Sequence, residues 1–171
     1  MSLPKLTFVL GGAASGKSHY AETLLKNRSE QRIYIATAEV YDAEMADKVA
    51  AHKRMRGKGW HTIEEPLDLP KVLSDRESGE VILIDCATLW LTNLVLGDHD
   101  VDTATEQLIA AIAACPAPVV IVSNEVGQGI VPDNALSRKF RNAQGKLNRD
   151  LAAVADRVVA VMAGLPLVLK G

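Results

Sequence analysis

The chain alternates short, continuous apolar runs with longer stretches of helical period. LTFVL (6–10), RIYIAT (32–37), EVILID (80–85), PVVIVS (118–123) and RVVAVMAG (157–164) have the length and β-branched content of strands buried on both faces. WHTIEE (60–65) reads as a short strand or extended segment. Residues 16–27, 42–56, 101–115 and 133–155 have helical composition. TLWLTNLVL (88–96) is apolar at helical length, and LDLPKVL (67–73) predicts a short helix. Buried strands separated by helices predict the α/β class: a mostly parallel sheet with helices on both faces. No repeat, low-complexity tract or linker breaks the pattern, so one domain over residues 1–171 is expected.

Composition narrows this picture. Hydrophobic residues make up 48% and aromatic ones only 4%, so the core must be built from Val, Leu, Ile and Ala. A net charge of −2 argues against a nucleic-acid partner held by bulk electrostatics. Two cysteines, Cys86 and Cys115, are too few for a disulfide framework. Both adjoin apolar runs and read as buried free thiols in a reducing compartment. The N-terminal MSLPK has no apolar signal core. No apolar run approaches the roughly 18 residues that span a bilayer. A soluble, cytoplasmic protein with no membrane span is the expectation.

The first strand runs directly into GGAASGKS (11–18). Gly11, Gly16, Lys17 and Ser18 fit G-x-x-x-x-G-K-[ST], with Gly12, Ala13, Ala14 and Ser15 between them. Small side chains let backbone N–H groups turn inward around phosphate oxygens. The helix that follows adds the positive end of its dipole. Lys17 supplies a point charge to the β and γ phosphates, and Ser18 a hydroxyl to the magnesium ion that shares them. The motif follows a predicted strand, precedes a predicted helix and opens the first α/β unit, which argues against a chance match. The fold is therefore expected to be P-loop NTPase-like.

A P-loop usually has an acidic partner at the end of a nearby strand. Asp85, closing VILID, suits that role as a carboxylate near the metal. Capping the helix that begins at Cys86 is the other reading, and both could hold together.

Between residues 42 and 56, Glu44, Lys48, His52 and Arg56 recur every four residues as one polar stripe. His52 sits among Lys48, Lys53, Arg54 and Arg56. Nearby positive charge disfavours protonation of an imidazole, and a neutral imidazole is a nucleophile. The same cations would hold a polyphosphate. From spacing alone, a solvated basic helix face is the better reading. No histidine pair has metal-ligand spacing.

Taken in order, GGAASGKS (11–18), IATAE (35–39), DAEMADKVAAHKRMR (42–56), W-x-T-x-E (60–64), LIDCATLWLTNL (83–94), NEVGQGIVP (124–132) and AGLPLVLK (163–170) make a recognisable set. The chain resembles the bifunctional adenosylcobinamide kinase / adenosylcobinamide-phosphate guanylyltransferase family of cobalamin biosynthesis. The likeness spans nearly the whole chain. It implies two reactions on a corrinoid. ATP or GTP phosphorylates the hydroxyl of the aminopropanol arm of adenosylcobinamide. GTP then gives GMP to that phosphate through a GMP–histidine intermediate, releasing pyrophosphate. The matching histidine here is His52. The resemblance further implies nucleotide contacts at the P-loop, at Ala36, Thr37 and Ala38, at Lys53, Arg54, Met55 and Arg56, at Glu64 and at Asp85, and a homotrimer. This P-loop has Ala14 where the family often carries arginine, which removes one phosphate contact. Ala51 precedes His52 where some members have a second histidine.

NEVGQGIVP (124–132) follows a buried strand and so falls at the sheet edge where ligands bind. Asn124 and Glu125 could orient a ligand or cap a turn. Two other functions fit the P-loop: a small-molecule kinase without nucleotidyl transfer, and a nucleotide-dependent switch. A guanine-reading switch would show Asn-Lys-x-Asp after a late strand, and this chain has Ser123-Asn124-Glu125-Val126 there.

Overall fold

The computed structural model describes residues 3–26, 28, 30–39 and 58–171. The proposed helix over 42–56, with His52, Lys53, Arg54, Met55 and Arg56, lies outside the described residues.

Seven strands form one sheet: β1 (Leu6–Gly11), β2 (Gln31–Ala36), β3 (Trp60–Glu64), β4 (Glu80–Asp85), β5 (Val119–Asn124), β6 (Arg157–Met162) and β7 (Leu165–Lys170). Their order across the sheet is β3-β2-β4-β5-β1-β6-β7. Every pairing is parallel except β6 with β7. The helices are α1 (Lys17–Lys26), α2 (Leu69–Ser74), α3 (Ala87–Leu96), α4 (Val101–Ala114) and α5 (Ala135–Val154).

Alternation along each strand divides the core into two layers. Leu6 and Phe8 of β1, Ile33 and Ile35 of β2, Ile82 and Ile84 of β4, and Val119 and Ile121 of β5 face one way. They meet Leu73 of α2, Trp90 and Leu91 of α3, Leu108 and Ile112 of α4, and Leu147 and Leu151 of α5. Val9, Tyr34, Leu83, Val120, Val122 and Val159 face the other way, against Ala21 and Leu25 of α1. With helices on both faces, the strands can be apolar throughout, as the pattern predicts.

Each strand that feeds a helix does so at its C-terminal end, so the loops that follow β1, β2, β4 and β5 share one edge of the sheet. β5 is inserted between β1 and β4. The termini of β1 and β4 therefore lie two strands apart, with the end of β5 between them. This placement determines the geometry of the site.

The seventh strand departs from the sequence expectation, which left AGLPLVLK without an element of its own. The chain reverses at Ala163 and Gly164, both with positive φ (52° and 78°). Two consecutive positive φ values match the right-handed twist of a hairpin. β7 is an edge strand and exposed along its whole length. An edge tolerates Pro166, which has no N–H to donate. The hairpin also braces the loop after β1, because Gly164 N donates to Ser15 O at 2.8 Å.

Candidate functional site

The P-loop is built by close backbone packing. A Cβ on Gly11 would lie 2.6 Å from Val161 O of β6 and 2.5 Å from Ser15 Oγ, so a side chain there would force the loop open. Gly16 has φ +90° and lies against Gly164 of the hairpin, at 3.1 Å from where its Cβ would be. Glycine alone adopts that conformation cheaply. Ser15 N donates to Gly12 O at 3.3 Å, closing the turn, and Tyr20 N donates to Gly16 O as α1 starts. Ala13 and Ala14 are exposed at the crest, and Ala14 also has positive φ (54°).

Lys17 folds back over this loop. Its Nζ donates to Gly12 O at 3.0 Å. Burial lowers the pKa of its ammonium from the ordinary lysine value, while the Asp85 carboxylate opposes that shift. An ammonium taken partly out of water and aimed along the loop is prepared for an anion. Ser18, at the next position of α1, is half-buried.

Asp85 ends β4 opposite Ala36 of β2 and opposite Val122 of β5. Tyr34 Oη donates to its Oδ2 at 3.0 Å. The helix cap that sequence also allowed Asp85 is made instead by Cys86, whose Sγ accepts from Leu89 N. The Cys86 thiol is pushed up to about 12 by burial and by the Asp85 charge, so it stays protonated and serves as a cap rather than a nucleophile. Cys86 and Cys115 are both buried and free.

Thr37 is fully buried, and its hydroxyl is committed to the backbone. It donates to Cys86 O at 2.7 Å and accepts from Cys86 N at 2.8 Å. Thr37 N also donates to Asp85 O. Asn93 of α3, 5% exposed, donates through Nδ2 to Thr37 O and to Pro66 O. These bonds tie the loops after β2 and β3 to the end of β4, so Thr37 and Asn93 fix where Asp85 stands. Ala36 and Ala38 lie half-buried beside them. Glu64 ends β3 in register with Ala36, at the outer end of the same edge.

Gly11, Asn124, Asp85, Ala36 and Glu64 thus terminate neighbouring strands along one rim. Of the residues nominated from sequence, those of the P-loop together with Ala36, Thr37, Ala38, Glu64 and Asp85 are brought to this rim. His52, Lys53, Arg54, Met55 and Arg56 are outside the described residues. Among the described residues there is no group of three or more His, Cys, Asp or Glu side chains that could hold a metal by themselves. No helix among them is long and apolar enough to cross a membrane.

Sequence reasoning missed a buried polar web under the rim. Ser123 Oγ donates to Asn148 Oδ1 at 2.7 Å, and Gln144 Nε2 donates to both Ser123 Oγ and Asn148 Oδ1. Asn148 Nδ2 donates to Asn124 O, and Asn124 N donates to Thr88 Oγ1 at 2.8 Å. Gln144 is 0% exposed and Asn148 7%. The signal was legible: Gln144, Leu147, Asn148 and Leu151 share one helix face, so two amides interrupt an apolar stripe. Glu125, by contrast, caps its own turn by accepting from Gly127 N.

The chain matches the family described as cobinamide kinase / cobinamide phosphate guanyltransferase over residues 7–169. It is 43% identical over 166 residues to the bifunctional adenosylcobalamin biosynthesis protein CobP of Pseudomonas aeruginosa, covering 95% of this chain and 96% of that one. Against the bifunctional adenosylcobalamin biosynthesis protein CobU of Escherichia coli K12 the identity is 41% over 181 residues, covering 96% and 99%. Among solved structures, an ATPase from the type III secretion system of pathogenic bacteria superposes with a TM-score of 0.57 at 11% identity, over 95% of this chain and 56% of that one. That likeness is one of fold alone. Sequence likeness over nearly the whole length, together with a built P-loop facing Asp85, places the chain: it belongs to the cobinamide kinase / cobinamide phosphate guanyltransferase family.

Proposed function

We propose that the chain, acting as one domain, phosphorylates adenosylcobinamide with ATP or GTP and then transfers GMP from GTP to the phosphate it has made. The observation that carries this reading is the Lys17 ammonium and the Asp85 carboxylate set at one rim in a chain of this family.

In the first step the P-loop amides and Lys17 hold the β and γ phosphates. The acceptor oxygen bonds to the γ-phosphorus as the bond from that phosphorus to the β–γ bridging oxygen breaks. The diphosphate leaves, and the hydroxyl proton passes to solvent. In the second step an imidazole nitrogen of His52 bonds to the α-phosphorus of GTP, and pyrophosphate departs. A phosphate oxygen of the acceptor then takes the guanylyl group, and the P–N bond breaks. One difficult displacement is thereby divided into two. Lys53, Arg54 and Arg56 stand near His52 in sequence and supply positive charge for the departing pyrophosphate.

The residues present fit magnesium. Ser18 offers a hydroxyl beside the phosphate cradle, and Asp85 keeps Oδ2 on Tyr34 while its other oxygen remains for a metal-bound water. One or two protein ligands plus phosphate oxygens are what magnesium takes in such sites. Bound there, magnesium would neutralise charge on the phosphates. Tyr34→Phe is expected to raise the magnesium concentration for half-maximal activity about tenfold, since it releases the hydroxyl that orients the Asp85 carboxylate. A titration of initial rate against magnesium checks this, and an unchanged midpoint would remove Tyr34 from the metal site.

A homotrimer, implied by the family resemblance, suits the exposed apolar edge of β7, where Leu165, Leu167 and Leu169 are 57–72% exposed. A cytoplasmic location suits a biosynthetic enzyme of this kind.

The test is direct. Purified protein given adenosylcobinamide, ATP and magnesium should yield a corrinoid heavier by one phosphate, read by mass spectrometry. Adding GTP should convert it to the GDP-linked corrinoid with release of pyrophosphate. Formation of the first product alone would leave a kinase without nucleotidyl transfer. Formation of neither would sink the proposal.

A further inference from the structure

We propose that Asn124 contacts the transferring γ-phosphoryl group, its carboxamide donating a hydrogen bond to a phosphoryl oxygen. The inference rests on the kinase half of the function proposed above.

The argument begins with strand order. β5 lies between the P-loop strand and the Asp85 strand. Asn124, its last residue, pairs with Gly11, the first residue of the P-loop motif. Two positions earlier Val122 pairs with Asp85. A phosphoryl group held between Lys17 and the Asp85 end of β4 would lie over the end of β5.

The backbone of Asn124 is anchored from three directions. Its N–H donates to Thr88 Oγ1 at 2.8 Å, its carbonyl accepts from Asn148 Nδ2 at 3.0 Å, and the next residue, Glu125, donates through N to Gly11 O at 3.0 Å. The Ser123–Gln144–Asn148 web holds these supports from below. All this machinery positions the backbone and leaves the side chain unused.

The side chain itself makes no hydrogen bond within the described chain, and its Oδ1 is buried without a partner. A buried amide oxygen in that condition is uncommon and calls for a reason. Asn124 as a residue is only half-buried, so its carboxamide stands between the interior and the open rim. With the oxygen inward, the N–H₂ end is the one available to the rim. A neutral donor there complements Lys17: it can follow charge onto the phosphoryl oxygens without adding a second cation.

Because the side chain supports nothing else, its removal should leave the fold intact. Asn124→Ala should lower the turnover number for acceptor phosphorylation about 100-fold, as for loss of one preorganised donor. Asn124→Asp should lower it further, since a carboxylate repels the phosphoryl oxygens. Equilibrium binding provides the readout that a structural role would not move. In Asn124→Ala, the affinity for the non-hydrolysable β,γ-imido triphosphate should fall several-fold while that for ADP stays unchanged. Equal loss for both nucleotides, or no change in either affinity or turnover, would overturn the assignment. If wild-type protein phosphorylates no acceptor, the kinase reading fails, while the triphosphate-to-diphosphate affinity ratio still decides the role of Asn124.

Discussion

Lys17→Ala is expected to lower phosphoryl transfer to the acceptor by roughly 10³-fold, about 4 kcal/mol of barrier, while the protein remains folded. The expectation follows from how the side chain is held. Its ammonium is tethered to Gly12 O and partly removed from water before any nucleotide arrives. Such a group reorganises little when charge develops on the phosphoryl oxygens, which is where a preorganised donor contributes most. Burial lowers the lysine pKa, so the charged form is disfavoured by folding and its removal should not cost stability. The sign of the pH effect is fixed by the same fact. Between the lowered folded value and the unfolded value the native state binds fewer protons than the unfolded chain, so this residue makes stability rise with pH there. Activity should move the other way, falling as Lys17 loses its proton at alkaline pH. Steady-state rates and thermal melts on the variant check both halves. Turnover within threefold of wild type would remove the P-loop lysine from the mechanism.

Much of this arrangement was legible along the chain because parallel sheets write themselves as apolar runs. The EVILID run has the bounds of β4, and the helical pattern over 133–155 encloses α5. The PVVIVS run begins and ends one residue before β5, and the difference is consequential. The strand extends through Asn124, which turns a loop residue into a rim residue paired with Gly11. The hairpin strand β7 was missed because it has no buried face to give it a pattern, and because proline argues against a strand unless the strand is known to be an edge. Its use is equally invisible in sequence: Gly164 lies against Gly16 and Ser15, some 150 positions away along the chain.

The site divides in the same way. Lys17 and the glycines announce themselves by spacing, since a phosphate cradle needs local backbone geometry. Asp85 could be placed at a strand end but not given a single task, because a carboxylate before a helix can cap it or serve a metal. The structure separates these by giving the cap to Cys86 and the Tyr34 hydroxyl to Asp85. Thr37 shows the limit of mapping by motif. Its hydroxyl is taken by both backbone groups of Cys86 and its N–H by Asp85 O, so a nucleotide contact in this segment falls to its neighbours Ala36 and Ala38. Such long-range bonds, between residues 37 and 86 or 123 and 148, depend on which elements meet, which no local pattern encodes.

The other large effect is expected at His52. GTP labelled at the α-phosphate should leave label on the wild-type protein, and His52→Ala should take up none, with guanylyl transfer to the phosphorylated corrinoid down by roughly 10³-fold or more, as when a covalent nucleophile is deleted. The bond formed identifies its own chemistry. A phosphoramidate on imidazole hydrolyses in acid and survives base, whereas an ester on serine or threonine survives acid. Label that is acid-labile in wild type and absent from the variant therefore assigns the nucleophile as well as the reaction. Phosphorylation of adenosylcobinamide supplies the internal control. It runs through Lys17 and the P-loop, so His52→Ala should retain it within a few-fold, and Lys17→Ala should lose it. Parallel loss of both activities in His52→Ala would mean that the helix proposed over 42–56 supports the nucleotide site as a whole. Undiminished label in the variant would move the covalent step to another residue, and no label in wild type would remove the histidine intermediate while leaving the kinase step standing.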